Sequence, residues 1–167
     1  MTRPFLTYPD KRLKAVCPLV DTVDDHVRAV WDEMLKAMYD MPGVGLAAPQ
    51  IGEMLRLAVV DCSDKRDQPL RMANPEILHS SGIFREHEEG SPNIPNLWAM
   101  VSRPRAVTVR FLDENNELVE RDYVGLWATS VQHQIDHLNG KLFIDRLSAM
   151  KRKMILAKHA KNRKRRR

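Results

Sequence analysis

A chain of 167 residues, 43% hydrophobic and 29% charged, is the size of one domain and long enough to bury a proper core. No apolar run approaches the ~18 residues of a membrane helix, and the N-terminus lacks the charged segment, apolar core and cleavage site of a secretory signal, so a soluble, cytoplasmic protein without membrane contact is expected. The net charge of +5 hides an asymmetry: residues 151–167 hold ten Lys and Arg and no acid, which leaves 17 basic against 22 acidic side chains in the first 150 residues, net −5.

Residues 1–20 mix Pro4, Pro9 and Pro18 with apolar pairs, which predicts an extended segment laid over the domain. After the polar stretch Asp21 to Asp25, the residues Val27, Val30, Trp31, Met34, Leu35 and Met38 fall three and four apart. They predict an amphipathic helix capped by Asp or Thr, ended by Pro42 and Gly43, with Trp31 and the methionines in the core. The run Gly43-Val44-Gly45-Leu46-Ala47-Ala48-Pro49-Gln50 reads as a glycine-rich turn that brings backbone close to a neighbour and ends in an amide able to donate a hydrogen bond. Strands are predicted over Leu55 to Asp61, Pro69 to Leu78 and Gly82 to Glu88, then a polar, proline-rich loop from Glu88 to Pro95. Glu89 and Arg103 are expected to form a supporting ion pair, and Trp98 and Trp127 to serve packing. Arg105 to Asp113 and Leu118 to Val124 flank the turn Glu114-Asn115-Asn116-Glu117 as a hairpin. A helix follows from Leu126 to Leu138, closed by Asn139-Gly140; Lys141 to Leu147 reads as extended, and Ser148 caps a final basic helix. Strands gathered between an early and a late helix indicate an α+β domain over 1–150, with 151–167 as a basic helix or tail.

Within the penultimate helix, His133 and His137 lie four residues apart, so both imidazoles project from one face and can grip a single metal ion. Metal hydrolases with this spacing place a glutamate after the first histidine as the proton carrier. Here that position is Gln134, whose amide neither takes up nor gives up a proton near neutral pH. Asp136 lies on another helical face and is expected to be structural. Cys17 and Cys62 stand far apart, outside these motifs and without metal-like spacing.

Three motifs in order, Gly43 to Gln50, then Glu88-Glu89-Gly90-Ser91-Pro92-Asn93-Ile94-Pro95, then Gln132-His133-Gln134-Ile135-Asp136-His137, resemble those of the peptide deformylase family, whose pattern is G-x-G-L-A-A-x-Q, E-G-C-L-S and H-E-x-x-H. The resemblance extends from Pro9-Asp10-Lys11-Arg12-Leu13 to Gly140-Lys141-Leu142-Phe143. It implies antiparallel sheets packed around a central helix that carries the two histidines. It also implies removal of the formyl group from the N-terminal methionine of nascent chains by iron or zinc held on the cysteine and both histidines. In that family the glutamine of the first motif and the backbone N–H after the cysteine receive the developing oxyanion, and the glutamate handles the protons. By position, the resemblance places Gly43, Val44, Gly45 and Leu46 at the substrate pocket, Gln50 at the oxyanion, His133 and His137 on the metal, Ser91 at the cysteine and Gln134 at the glutamate.

The departures are chemical. A serine hydroxyl is a poor metal ligand because its alkoxide is inaccessible near neutral pH. Proline at 92 has no N–H to offer an oxyanion. The expectation is a deformylase-like paralogue that keeps the fold and has lost efficient deformylation. It holds either one divalent ion (iron, zinc or nickel) at reduced affinity or none, with a monomer as the family norm. Two other readings stay open. One is a weak hydrolase of altered specificity whose metal is completed by water, Glu88 or Glu89, or whose nucleophile is Ser91. The other is a binding module for a nascent peptide's N-terminus. The family's C-terminal helix docks on the ribosome, and Lys151, Arg152, Lys153, Lys158, Lys161, Arg163, Lys164, Arg165, Arg166 and Arg167 resemble that element in place and charge, which makes the ribosome a candidate partner.

Overall fold

In the computed structural model, which describes residues 3–166, the first regular helix starts where the sequence predicts. The side chain of Asp24 accepts from the backbone N–H of Val27 at 3.0 Å, and α1 (Asp25–Asp40) buries its apolar stripe, with Trp31, Met34 and Met38 fully enclosed. Trp31 also donates its indole N–H to the carbonyl of Met72 at 3.3 Å.

Seven strands follow: β1 (Gly45–Ala47), β2 (Leu57–Val60), β3 (Leu70–Ser80), β4 (Phe84–Ser91), β5 (Ile94–Pro104), β6 (Ala106–Leu112) and β7 (Leu118–Val124). They pair antiparallel in a five-stranded sheet ordered β1-β2-β3-β6-β7, with β4 and β5 forming a separate two-stranded sheet between β3 and β6 in the chain. Both faces of the larger sheet are covered. Along β2, Leu57 and Val59 join the core beneath α1, whereas Ala58 and Val60 join the core beneath α2 (Gly125–Leu138). This double coverage explains why β2 reads as a continuous apolar run rather than an alternating one.

The polar sequence of α2 does not suit its position, for every residue from Ala128 to Leu138 is buried, including Thr129, Ser130, Gln132, His133, Gln134, Asp136 and His137. A helix buried on all sides must satisfy each of these groups internally or keep them for a ligand. The last helix, α3 (Ala149–Arg165), is capped by Ser148, whose hydroxyl accepts from Lys151 N at 3.3 Å. It is fastened by Ile155, Leu156 and the buried His159, whose Nε2–H donates to the carbonyl of Tyr8 at 2.9 Å. No helix among the described residues is long and apolar enough to cross a membrane.

The structure departs from the sequence reading in five segments. The early extended segment contains a 3₁₀ turn, Lys11–Lys14, capped by Asp10. The glycine-rich run is not a turn; it forms β1 and the 3₁₀ turn Ala48–Ile51. The loop expected from Glu88 to Pro95 is strand up to Ser91, reversing at Pro92-Asn93 so that Ser91 pairs with Ile94. Strand β5 gave no clear signal because Trp98 and Met100 add large apolar residues to the outward face, which hides the alternation. Lys141 to Leu147 is not extended throughout, since Phe143–Arg146 is a 3₁₀ turn that buries Phe143 and Ile144. Trp98 is 59% exposed, so it is not the packing residue expected.

Candidate active site

The spacing on α2 brings the two imidazoles together as expected, with His133 Nε2 and His137 Nε2 3.1 Å apart. The hairpin supplies what orients them. Glu89 of β4 accepts from His133 Nδ1 at 2.8 Å, which fixes the tautomer and leaves Nε2 as the lone-pair nitrogen. Arg103 of β5, cross-strand in the same sheet, grips Glu89 at 2.7 and 2.9 Å and reaches Asp136 at 2.8 Å; Arg146 closes the array on Asp136 at 2.6 and 3.0 Å. Two guanidinium groups and two carboxylates thus alternate behind His133, nearly all of it out of water.

Burial pushes the Glu89 carboxyl upward, but the hydrogen bonds from His133 and Arg103 outweigh it and bring it down to about 2. Asp136 is likewise lowered, burial being opposed by Arg146 and Arg103. Burial, helped by His133 and Arg103, holds His137 well below the ordinary imidazole range, so its ring is neutral. His137 Nδ1 is buried without a partner among the described residues, as is Gln134 Oε1.

The other half of the site is a closed triangle. Gln50 Oε1 accepts from Ala47 N at 2.8 Å, which sets its amide orientation. Its Nε2 then donates to Asn93 Oδ1 at 2.8 Å and to Ser91 Oγ at 3.3 Å. Ser91 Oγ donates to Asn93 Oδ1 at 2.9 Å, and Asn93 Nδ2 is held by the carbonyl of Leu6 at 2.5 Å. Both hydrogens of the Gln50 amide are therefore spent within the protein, and residue 92, next to them, has none to give. Ser91 makes no hydrogen bond to His133, so the Ser91 nucleophile lacks its base in this arrangement.

Gln134 lies over Gly45, where a Cβ would come within 2.3 Å of Gln134 Nε2 and 2.4 Å of Ser130 Oγ, so this close approach requires glycine. The cavity beside these groups, about 520 Å³, is lined by Gly43, Val44, Gly45, Gln50, Glu88, Trp98, Ser130, His133 and Gln134 among others. Leu46, expected at the pocket, instead points into the core beneath α1 because successive strand side chains alternate in direction.

No group of three or more His, Cys, Asp or Glu among the described residues is placed to hold a metal ion. Glu89 serves the far nitrogen of His133 rather than the convergence point of the two rings, and Glu88 is exposed at the rim. Burial pushes the thiols of Cys17 and Cys62 up to about 11, which keeps both protonated. On α3, Lys151, Lys153, Lys158, Lys161, Lys164, Arg165 and Arg166 are exposed and Arg163 is half-buried, whereas Arg152 bonds Asp145 at 3.1 Å. Arg167 lies outside the described residues. Sequence reasoning missed Asn93 and Arg146. A serine followed two residues later by asparagine at a strand reversal is a signal for the first, since such side chains bond locally across turns; the pairing of Arg146 with Asp136 leaves no sequence signal.

A family model described as polypeptide deformylase matches residues 2–153. The chain is 46% identical over 161 residues to the peptide deformylase of Mesorhizobium japonicum, covering 95% of this chain and 92% of the relative. It is 45% identical over 157 residues to that of Hydrogenovibrio crunogenus, covering 94% and 92%. Among solved structures, it superposes on a Legionella pneumophila peptide deformylase with TM-score 0.91 and 41% identity over 99% of this chain and 98% of the other. An Ehrlichia chaffeensis peptide deformylase in complex with actinonin gives TM-score 0.91 at 32% identity over 96% and 97%. The same glycine-rich strand, hairpin and histidine helix run through the whole match, and this chain belongs to the peptide deformylase family.

Proposed function

We propose that this chain keeps the frame of a deformylase, has lost efficient removal of the formyl group from N-terminal formylmethionine, and acts by binding the N-terminus of a nascent peptide. The observation that carries this reading is the state of the oxyanion donors: Gln50 Nε2 is bonded to Asn93 and Ser91, and Pro92 has no N–H. Losing one such donor costs about 10²–10³ in rate. Losing a positioned acid or base costs about 10²–10⁴, and Gln134 cannot carry a proton. The two losses do not simply multiply, because such groups act as a unit.

The donor set does not fit a tightly held catalytic ion. Catalytic zinc sites use three protein ligands and keep one position open; here His133 and His137 supply two nitrogens, and the neutral Ser91 hydroxyl is taken up by Gln50 and Asn93. No step of the present reading is assigned to a metal. One observation favours a second reading, a weak hydrolase of altered specificity with iron, zinc or nickel at reduced affinity. The two Nε2 atoms, 3.1 Å apart, have the spacing of two ligands on one ion with bonds of about 2.0–2.1 Å, and Glu89 orients His133 as a second partner would.

A 30% identical neighbour, the Acinetobacter baumannii enzyme solved with Met-Ala-Ser bound, superposes with TM-score 0.82, which supports a peptide end as the ligand here. The exposed basic face of α3 supports ribosome contact, which would weaken with salt and vanish when residues 149–167 are removed. The test of the main reading is formate release from formyl-Met-Ala-Ser by protein incubated separately with iron, zinc and nickel. The expected rate is at most about one hundredth of the Legionella pneumophila relative's, and a comparable rate would overturn the reading.

A further inference from the structure

The cavity has an unusual hydrogen-bond balance for a site that once received a carbonyl. Its N–H donors near the triangle are spent or absent, as described above, and no Lys or Arg lines it. Its acceptors remain open. Gln134, 4% exposed, lines the cavity with a carbonyl oxygen that has no partner among the described residues. Ser130, also lining it, spends its hydroxyl hydrogen on the carbonyl of Val44 at 3.3 Å and keeps its lone pairs. Glu88 stands exposed at the rim with no ion-pair partner among the described residues, whereas Glu89 behind it is fully paired.

A formylated N-terminus is neutral and presents a carbonyl oxygen that needs donors. A primary ammonium group presents three donors, a positive charge and no acceptor. We infer that this cavity holds the primary ammonium group of a peptide in preference to a formylated N-terminus. The inference rests on the proposed loss of formyl hydrolysis, and it reverses the polarity of what the site recognises. Gln134, as an amide, accepts without needing to titrate, and Glu88 supplies charge at the entrance. The same ammonium chemistry belongs to an α-amine and to a lysine side chain.

The test uses the full chain in calorimetric titrations with three probes: Met-Ala-Ser, formyl-Met-Ala-Ser and acetyl-Lys-Ala-Ser. Met-Ala-Ser is expected to bind at least about tenfold more tightly than its formylated form, because the formyl carbonyl meets no free donor. Glu88→Gln, at an exposed position that leaves the fold intact, is expected to weaken Met-Ala-Ser by up to about fivefold and leave the formylated probe unchanged. Gln134→Leu is expected to narrow the difference between the two probes, with its melting temperature checked alongside. Acetyl-Lys-Ala-Ser binding as well as Met-Ala-Ser supports the inference with a side-chain amine as the source; weaker binding by it supports the α-amine. Equal or tighter binding of the formylated probe, or no binding by any of the three, overturns it. Formate is assayed in the formylated arm: rapid release overturns the proposed loss of hydrolysis, whereas no release together with preference for the formylated probe overturns this inference alone.

Discussion

The two halves of the site are built to different standards. Behind His133, four charged side chains alternate in bonds of 2.6 to 3.0 Å with Glu89 and Arg103 almost wholly buried, an arrangement that serves only to hold an imidazole and the hairpin against α2. On the opposite side, Gln50, Ser91 and Asn93 are equally well bonded, but to one another, so the groups that would act on a substrate are consumed by the fold. The support of an active centre has persisted while its reactive groups have become structural. Order at a site is therefore no measure of activity; what counts is which donors and proton carriers are left free.

Removing the centre of the support breaks the comparison most sharply. Arg103→Met strands two buried carboxylates, Glu89 and Asp136, and is expected to cost about 3–5 kcal/mol in urea unfolding. Acidification acts on the same array more gradually. The carboxyls of Glu89 and Asp136 are depressed in the folded state, so their contribution is complete above the unfolded value near pH 4 and is lost as pH falls towards 2. Stability measured from pH 6 downward should decline over that window, and Glu89→Gln, less stable at neutral pH, should decline less steeply there. On the reactive side, Asn93→Ala leaves the Leu6 carbonyl and the Gln50 amide without their partner and is expected to cost about 1–3 kcal/mol. Gly45→Ala forces Gln134 and Ser130 aside, for an expected loss of about 1–2 kcal/mol that is smallest if Gln134 swings into the cavity. Equal losses for Arg103→Met and Gly45→Ala would erase the distinction between frame and site.

Much of this was legible in the residues because it depends on local rules. The stripe from Val27 to Met38, the turn at Asn115-Asn116, the i,i+4 histidines and the Glu89–Arg103 pair all follow from periodicity, turn chemistry or charge, and the structure realises each. Pro92 likewise declares its missing N–H without any coordinates. Long-range bonding was not legible. That Asp136 is clamped between Arg103 and Arg146, and that Asn93 turns the Gln50 amide inward, depend on strands β4 and β5 folding back over α2. The outward Trp98 misled for a related reason: an aromatic residue in a strand reads as core unless the strand is known to lie in a two-stranded sheet with one open face.

The most direct measurement compares formate release by the natural chain with that of a variant carrying Ser91→Cys, Pro92→Leu, Asn93→Ser and Gln134→Glu, both loaded with the same metal. These four changes return the thiolate, the backbone N–H, the freedom of Gln50 and the proton carrier together. The account predicts a gain of at least about 10³ in kcat/KM. A natural chain already as fast as the variant, with the variant folded and metal-loaded, would contradict it.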